Sequence, residues 1–489
     1  MHMKLGKLSK NKKVFIILSF IVILGFVLRV YHLAGPSLWH DELRTADRIR
    51  CQPAQIIASL YKAPFPPLYF ITMHYWTKFL GDSEFSLRFP SVIFSVASII
   101  FIFILSKELF GAGAGLFAAF FASISPYSIY YAQEAKMYSM LWLFGLLSFL
   151  FFHRFNKDNG TPSLLPYIIF TLIAVYTMYI GFIFMIIQNI VFFSLPRRKI
   201  INKWLAAQLA IILLYLPWLG RFLYHINHKT GIEWIPAVSG YPLLFRGIFS
   251  RVLTGMLTQN NYIEGGIYFL FMITAFVNMN ITNSGKKIYM PDFKRNDLFL
   301  VLWIIIPLAV YCLINKFACP ILYLSTERYV GFIYIPLLIL IGKGINKYST
   351  GVKSIMLIFL LVTTISFRIL PLYAYNYRLI RHDNFREFSR QLQLRANTDS
   401  LLLTELPLYV AGYYNKGYEI RPLDRINLFK NEAADKGPSS IFIIYRADRS
   451  MDTGSSAEIQ YYKNKLKAYN FIEHYYQYPN GFLWFKKLQ

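Results

Sequence analysis

Eleven apolar runs of 15 to 21 residues succeed one another along this 489-residue chain, and they leave little choice of architecture. About 20 apolar residues in a helix cross the hydrocarbon core of a bilayer. The runs predict spans near 13–33, 88–106, 112–130, 138–153, 163–180, 181–195, 204–219, 263–280, 298–315, 329–345 and 352–371. The stretch 163–195 carries no charged turn, so it must be two helices folded back at Tyr179-Ile180-Gly181. The fold class expected is an all-α polytopic membrane domain with about 11 transmembrane helices.

Composition agrees, since a soluble chain of this length carries far more than 16% charged residues. With 51 Lys and Arg against 25 acids, the net charge of +26 first brings nucleic acid to mind. The bases, however, lie in short stretches between spans rather than on one soluble face, which is the positive-inside pattern. An N-terminus with five bases and no acid before the first span, and no cleavage site after it, reads as an uncleaved cytoplasmic start. On that topology the inner segments hold 19 Lys or Arg against four acids, Glu108, Asp158, Asp292 and Asp297. Reading 66–80 as a further span would invert every later loop and destroy this asymmetry.

The membrane domain then covers residues 1–371, with a long outer loop, 34–87, whose amphipathic stretches suit helices lying in the interface. Residues 372–489 change texture. Asp383 to Arg395 has helical spacing, 400–406 and 440–446 are short β-prone runs, and Tyr478-Pro479-Asn480-Gly481 is a turn before Phe482-Leu483-Trp484-Phe485. A small extracytoplasmic α/β domain is expected there. Cys51, Cys312 and Cys319 form no disulfide framework and are expected as free buried thiols.

Spans of this chain hold almost no ionisable groups; Arg29 and Glu264 sit near span ends, where long side chains reach the interface. Ion-coupled transport usually needs such groups near the midplane, so a flippase or exporter is disfavoured. The ionisable groups gather instead at the outer mouth, among them Asp41, Glu42, Arg44, Lys62, Glu84, Arg88, Glu134, Lys136 and Arg328. A carboxylate there can activate a hydroxyl nucleophile, and Arg or Lys can hold a phosphate. A lipid-linked sugar phosphate asks for both: cations on the departing phosphate, and a base on the opposite face of the sugar that yields inversion. Plainer roles compete. Asp41 and Glu42 suit the first turn of an interfacial helix, with Arg44 as a local partner. Glu134 with Lys136 and Glu84 with Arg88 suit local ion pairs, and Arg328 suits a snorkelling anchor. His32, His40 and His74 match no metal spacing, so no metal or other cofactor is assigned.

Four segments in order resemble the GT-C glycosyltransferases of the protein O-mannosyltransferase and aminoarabinose-transferase type. They are Trp39-His40-Asp41-Glu42; Pro66-Pro67-Leu68-Tyr69 with Gly81-Asp82-Ser83-Glu84-Phe85-Ser86-Leu87-Arg88-Phe89-Pro90-Ser91; Tyr131-Ala132-Gln133-Glu134-Ala135-Lys136-Met137-Tyr138; and Glu327-Arg328-Tyr329 followed by Pro336. The resemblance, over roughly residues 10–345, implies a polyprenyl-phosphate-linked sugar donor, an acceptor in the membrane or cell envelope, and a base on the first outer loop. By position that base is Asp41, and Glu42 is similar to the neighbouring acid that helps place the acceptor. Arg88 is similar to the phosphate-contacting arginine, with Lys136 and Arg328 as further contacts, and the Glu134 loop, running to Tyr138, resembles a second acidic loop facing the active site. The chain departs from the pattern in two places. Phe65 stands where Lys or His usually precedes Pro-Pro-Leu, leaving Lys62 as a substitute, and Lys136 stands where Arg is usual, without its bidentate fork. The implied activity is inverting sugar transfer at the outer face of the cytoplasmic membrane, to lipid A of lipopolysaccharide, another glycan or protein. An O-antigen polymerase or ligase is the rival enzyme, although those usually carry their large outer loop between late spans.

Overall fold

The computed structural model describes residues 2–157, 161–194, 200–228, 273, 275–281, 287–291, 294–317, 327–348 and 351, and in the tail 385–396, 400–404, 412–415, 418–422, 440–446, 471–476 and 480–487. The chain divides into two compact units, 1–33 with 52–374 and 34–51 with 375–489.

The first unit is mostly helical: α1 (His2–Val30), then, past the second unit's α2 (His40–Arg50), α3 (Pro53–Ser59), α4 (Leu68–Leu80), α5 (Glu84–Phe110), α6 (Ala112–Ile124), α7 (Pro126–Ala132), α8 (Tyr138–Lys157), α9 (Thr161–Thr177), α10 (Gly181–Phe193) and α11 (Ile201–Asn227). It continues with α12 (Arg295–Phe317), α13 (Glu327–Val330) and α14 (Tyr334–Asn346). Among the described residues five helices are long and apolar enough to cross a membrane, six if α6 and α7 count as one bent span. The shorter apolar helices α9 and α10 meet at the expected fold-back near Tyr179. The run 66–80 forms only the 13-residue α4.

Small residues set the centre of the bundle. Helix α6 begins Ala-Gly-Ala-Gly and packs against α1, α5 and α14. A Cβ on Gly342 of α14 would lie 2.6 Å from the Ala114 carbonyl oxygen, so the two backbones approach closely only through glycine. The Arg328–Asn346 span is accordingly 89% buried, whereas that at Asn11–Val30 is 17% buried and turns Phe15 and Phe20 outward. Gly111, at φ +93°, reverses the chain between α5 and α6 in a single residue.

Four expectations are corrected. The run 112–130 is not one straight span; it breaks at Ser125-Pro126, where α6 and α7 meet at 57°. Proline removes a backbone donor there, and the Ser125 hydroxyl caps α7 by accepting from the Ser128 N–H at 3.3 Å. The run 263–280 does not end as helix, because Val277–Ile281 is a strand paired antiparallel with Lys287–Pro291. Asn278 and Asn280 alternate with Val277, Met279 and Ile281, a period of two that the preceding apolar residues conceal. Arg29 does not reach an interface but is fully buried. Cys51 is free but exposed. The expected span 352–371, Glu264 and Cys319 lie outside the described residues, as does the side chain of Cys312.

The second unit joins helix α2 to the tail. Helix α15 (Phe385–Gln393) accompanies a five-stranded sheet ordered β4 (Glu419–Pro422), β3 (Leu401–Thr404), β5 (Ser440–Arg446), β7 (Asn480–Lys487) and β6 (Phe471–Tyr476), numbered after the hairpin of β1 (Val277–Ile281) and β2 (Lys287–Pro291) in the first unit. Strand β3 runs parallel to both β4 and β5; β7 is antiparallel to β5 and β6.

Candidate active site

In the second unit, Asp41 and Glu42 occupy the first turn of α2, where a helix dipole favours carboxylates. They are not equivalent. Glu42 is 1% exposed and its Oε2 accepts the Trp39 backbone N–H at 3.3 Å, closing the helix end. The Asp41 side chain is 28% exposed, with His40 Nδ1 3.7 Å from its Oδ1. The segment is stitched to the tail: Arg386 donates to the carbonyls of Ala34, Gly35 and Pro36 at 2.9–3.3 Å, and the Leu38 N–H donates to the Tyr414 hydroxyl at 2.8 Å. The Arg50 guanidinium lies 4.8 Å from the Tyr413 ring centre. Arg44, by contrast, is exposed.

In the first unit, the bend between α7 and α8 presents Glu134 and Lys136. Both are buried, at 2% and 7% exposure, so neither belongs to a solvated hairpin. Ser91, on α5, donates its hydroxyl to the carbonyl of Glu134 at 2.7 Å and to that of Lys136 at 3.3 Å. Gln133 Nε2 donates to the carbonyls of Arg29 and Tyr31 at 3.0 and 2.8 Å. Arg88 precedes Ser91 by three residues, about 4.5 Å of helix rise, so it shares an end of α5 with the docked turn. It is 1% exposed and donates from Nη1 to the Leu33 carbonyl at 2.9 Å, which sets aside an exposed pair with Glu84. Helix α5 starts there because Ser83 caps it, accepting from the Ser86 N–H at 3.2 Å.

An aromatic floor supports the turn. Tyr138 packs edge-on to Tyr131 at 5.2 Å, and Trp142 lies 5.3 Å from Tyr131 and 5.1 Å from Tyr334. Gly331 is wedged against the Tyr127 hydroxyl and Trp142, and Arg328 enters this end of the bundle three residues earlier, its guanidinium 5.4 Å from the Tyr329 ring centre. Of the expected residues, the fold thus gathers Arg88, Glu134, Lys136 and Tyr138, with Arg328 beside their floor. Lys62 ends a single 3₁₀ turn, and its side chain lies outside the described residues.

Two residues missed by sequence reasoning hold that turn in place. His225 Nδ1 is 2.7 Å from the Tyr179 hydroxyl and its Nε2 is 2.9 Å from the Leu60 carbonyl oxygen. Arg221 stacks between Tyr61 and Trp218, 4.6 Å from each ring centre. The one available signal was their i,i+4 spacing near the end of α11. Among the described residues no three His, Cys, Asp or Glu side chains converge as metal ligands.

Known proteins resemble the chain in part of its sequence and in its fold. Residues 64–220 match the family model of the dolichyl-phosphate-mannose-protein mannosyltransferases. No curated protein matches the chain in sequence. Among solved structures, the chain superposes on ArnT from Cupriavidus metallidurans bound to undecaprenyl phosphate with a TM-score of 0.62 and 12% identity, covering 97% of this chain and 98% of that one. The apo state of that protein gives a TM-score of 0.61 at 11% identity and the same coverage. The apo oligosaccharyltransferase of Archaeoglobus fulgidus gives 0.52 at 11% identity, covering 94% of this chain and 73% of that one. The family match encloses Arg88, Glu134 and Lys136, and the chain shares the fold of these solved structures over nearly its whole length.

Proposed function

We propose that this chain moves a sugar with inversion from a polyprenyl-phosphate donor to a cell-envelope acceptor, at the outer face of the cytoplasmic membrane. The observation that carries the reading is the burial of Arg88 and Lys136 at one end of α5, where Ser91 clamps the Glu134–Lys136 turn. Cations held without water reward the charge that develops on a departing phosphate. The similar solved structure that holds undecaprenyl phosphate supports a lipid-linked donor.

On this reading Asp41 takes the proton from an acceptor hydroxyl or amine, and the freed lone pair attacks the anomeric carbon from the face opposite the lipid. The bond between that carbon and the phosphate oxygen breaks, and its electrons leave on the polyprenyl phosphate, held by Arg88, Lys136 and Arg328, with Lys62 in reserve. Glu42 fixes the first turn of α2, the Glu134 loop lines the second side, and Tyr138 anchors that loop. The full protein has eleven spans with the N-terminus cytoplasmic and an extracytoplasmic α/β tail, membrane domain 1–371 and tail 372–489. Lipid A, another envelope glycan and protein Ser or Thr are the acceptor classes to be separated, by mass spectrometry of envelope lipids and glycans from a deletion strain.

The deciding test is Asp41→Asn. Transfer should fall by about 10²–10⁴-fold while donor binding, read by protection of the purified protein against heat, is retained. Full transfer in that variant overturns the assignment.

A further inference from the structure

Near the end of α11, Arg221 is gripped on both faces of its guanidinium and bonded along none of its edges. The Tyr61 and Trp218 rings lie 4.6 Å from it, and among the described residues it makes no hydrogen bond and no ion pair. Its Nε is buried without an acceptor, although the residue as a whole is only half-buried. The polar groups beside it are engaged with one another. The Tyr179 hydroxyl accepts the Trp218 indole N–H at 3.1 Å and meets His225 Nδ1, and His225 Nε2 meets the Leu60 carbonyl. Tyr224 packs edge-on to Tyr61 at 6.0 Å and stacks on His228 at 4.0 Å.

Two rings fix the plane of a guanidinium but leave its donors unspent. A planar fork of N–H groups matches the paired oxygens of a carboxylate or a phosphate. Depth tells which carrier brings them. Lys203 and Arg221 are 18 residues apart on α11, about 27 Å of rise, close to the ~30 Å of a hydrocarbon core. Arg221 therefore sits at headgroup level. The span is 22% buried, and Leu213 and Leu214, two turns before Arg221, are 53% and 55% exposed. A cation above an apolar face open to lipid, with Tyr and Trp beside it, matches a phosphate carried on acyl chains rather than a soluble acid.

We propose that Arg221 holds the phosphodiester of a glycerophospholipid in the leaflet at this end of α11, the outer one on the proposed topology. Phosphate oxygens accept from the edge of the guanidinium, Tyr61 and Trp218 keep its plane fixed, and the acyl chains run down α11 along Leu213 and Leu214. A diester carries the single charge that one guanidinium matches. Because Tyr61 belongs to the Leu60–Lys62 turn, the bound lipid fastens that turn to α11. The site asks nothing of the transfer chemistry.

Native mass spectrometry of the full chain in detergent reads this directly, with phosphatidylglycerol and diacylglycerol of the same acyl chains offered at equal concentration. Phosphatidylglycerol should be retained about tenfold over diacylglycerol, the ordinary yield of a charge-assisted hydrogen bond. Arg221→Gln should lose one bound phosphatidylglycerol while any others stay, a selective loss that misfolding does not produce. Tyr61→Leu keeps the charge but removes one ring, and should cut retention at that site about threefold. It carries the decision if Arg221→Gln sheds every lipid at once. Unchanged retention in Arg221→Gln, or in Tyr61→Leu, overturns the proposal. So does displacement of the bound phosphatidylglycerol by undecaprenyl phosphate at a tenth of its concentration, which would mark a monoester site. Displacement by millimolar inorganic phosphate overturns it too, since that marks a small-anion site.

Discussion

Glu42 bends back to accept the backbone N–H of Trp39 at 3.3 Å, while the carboxylate of Asp41, one residue earlier, stays partly open to solvent. Two adjacent acids that look alike in sequence are therefore placed differently: one closes a helix, the other keeps part of its carboxylate at the surface. Glu42→Gln preserves an acceptor at the third helical position and should leave thermal stability nearly unchanged, whereas Glu42→Ala should cost about 1 kcal/mol. Thermal unfolding of both variants, set beside the transfer defect of Asp41→Asn, separates the two roles.

Arg29 supplies the second prediction. All five of its N–H groups donate: Nε to Ser95 Oγ at 2.8 Å, Nη1 to the carbonyls of Gly25 and Ser123, and Nη2 to the Ala122 carbonyl and Ser128 Oγ, each at 2.9 Å. Ala122 and Ser123 end α6, where the bend at Ser125-Pro126 deprives carbonyls of their helical donors. Lysine offers three donors from one nitrogen and cannot span this set. Arg29→Lys should destabilise the protein by about 2–4 kcal/mol, read as a lowered unfolding midpoint in detergent.

The pair Lys343–Asp297 tests a different balance. Nζ and Oδ1 are 2.7 Å apart with both side chains buried, and Asp297 Oδ2 also accepts the Lys294 N–H at 2.7 Å. Removing one partner strands a buried charge, so Asp297→Ala or Lys343→Met alone should cost about 3–5 kcal/mol. The double variant should recover much of that loss, and a double-mutant cycle of unfolding free energies measures how much.

Ser91 joins two carbonyls of the Glu134–Lys136 turn to the end of α5 that bears Arg88. Ser91→Ala should lower stability by only about 1 kcal/mol but, if the proposed mechanism holds, reduce kcat more than it raises KM, because that mechanism sets these groups against the developing phosphate charge. Equal changes in the two constants would assign Ser91 a purely structural part.

What was legible in the chain follows from range. Apolar length revealed α5, α8 and α11, and short motifs picked out Arg88, Glu134 and Lys136, because each is encoded in residues adjacent along the chain. Arg29 was illegible for the opposite reason: its acceptors lie 66 to 99 residues away, apart from Gly25, and exist only because proline breaks a span. The strand at Val277–Ile281 was masked by the apolar residues before it, and Cys51 by the habit of thiols to hide. The pairing of Asp297 with Lys343, 46 residues apart, joins two helices whose neighbourhood no local pattern announces.

The division of the chain has a consequence for anyone recombining it. Residues 34–51, with Asp41, group with 375–489, although more than three hundred residues separate them in the gene's order. A chimera that exchanged the tail alone would part Arg386 from the three carbonyls it grips and Tyr414 from Leu38. Grafting a foreign tail therefore calls for transplanting two stretches at once.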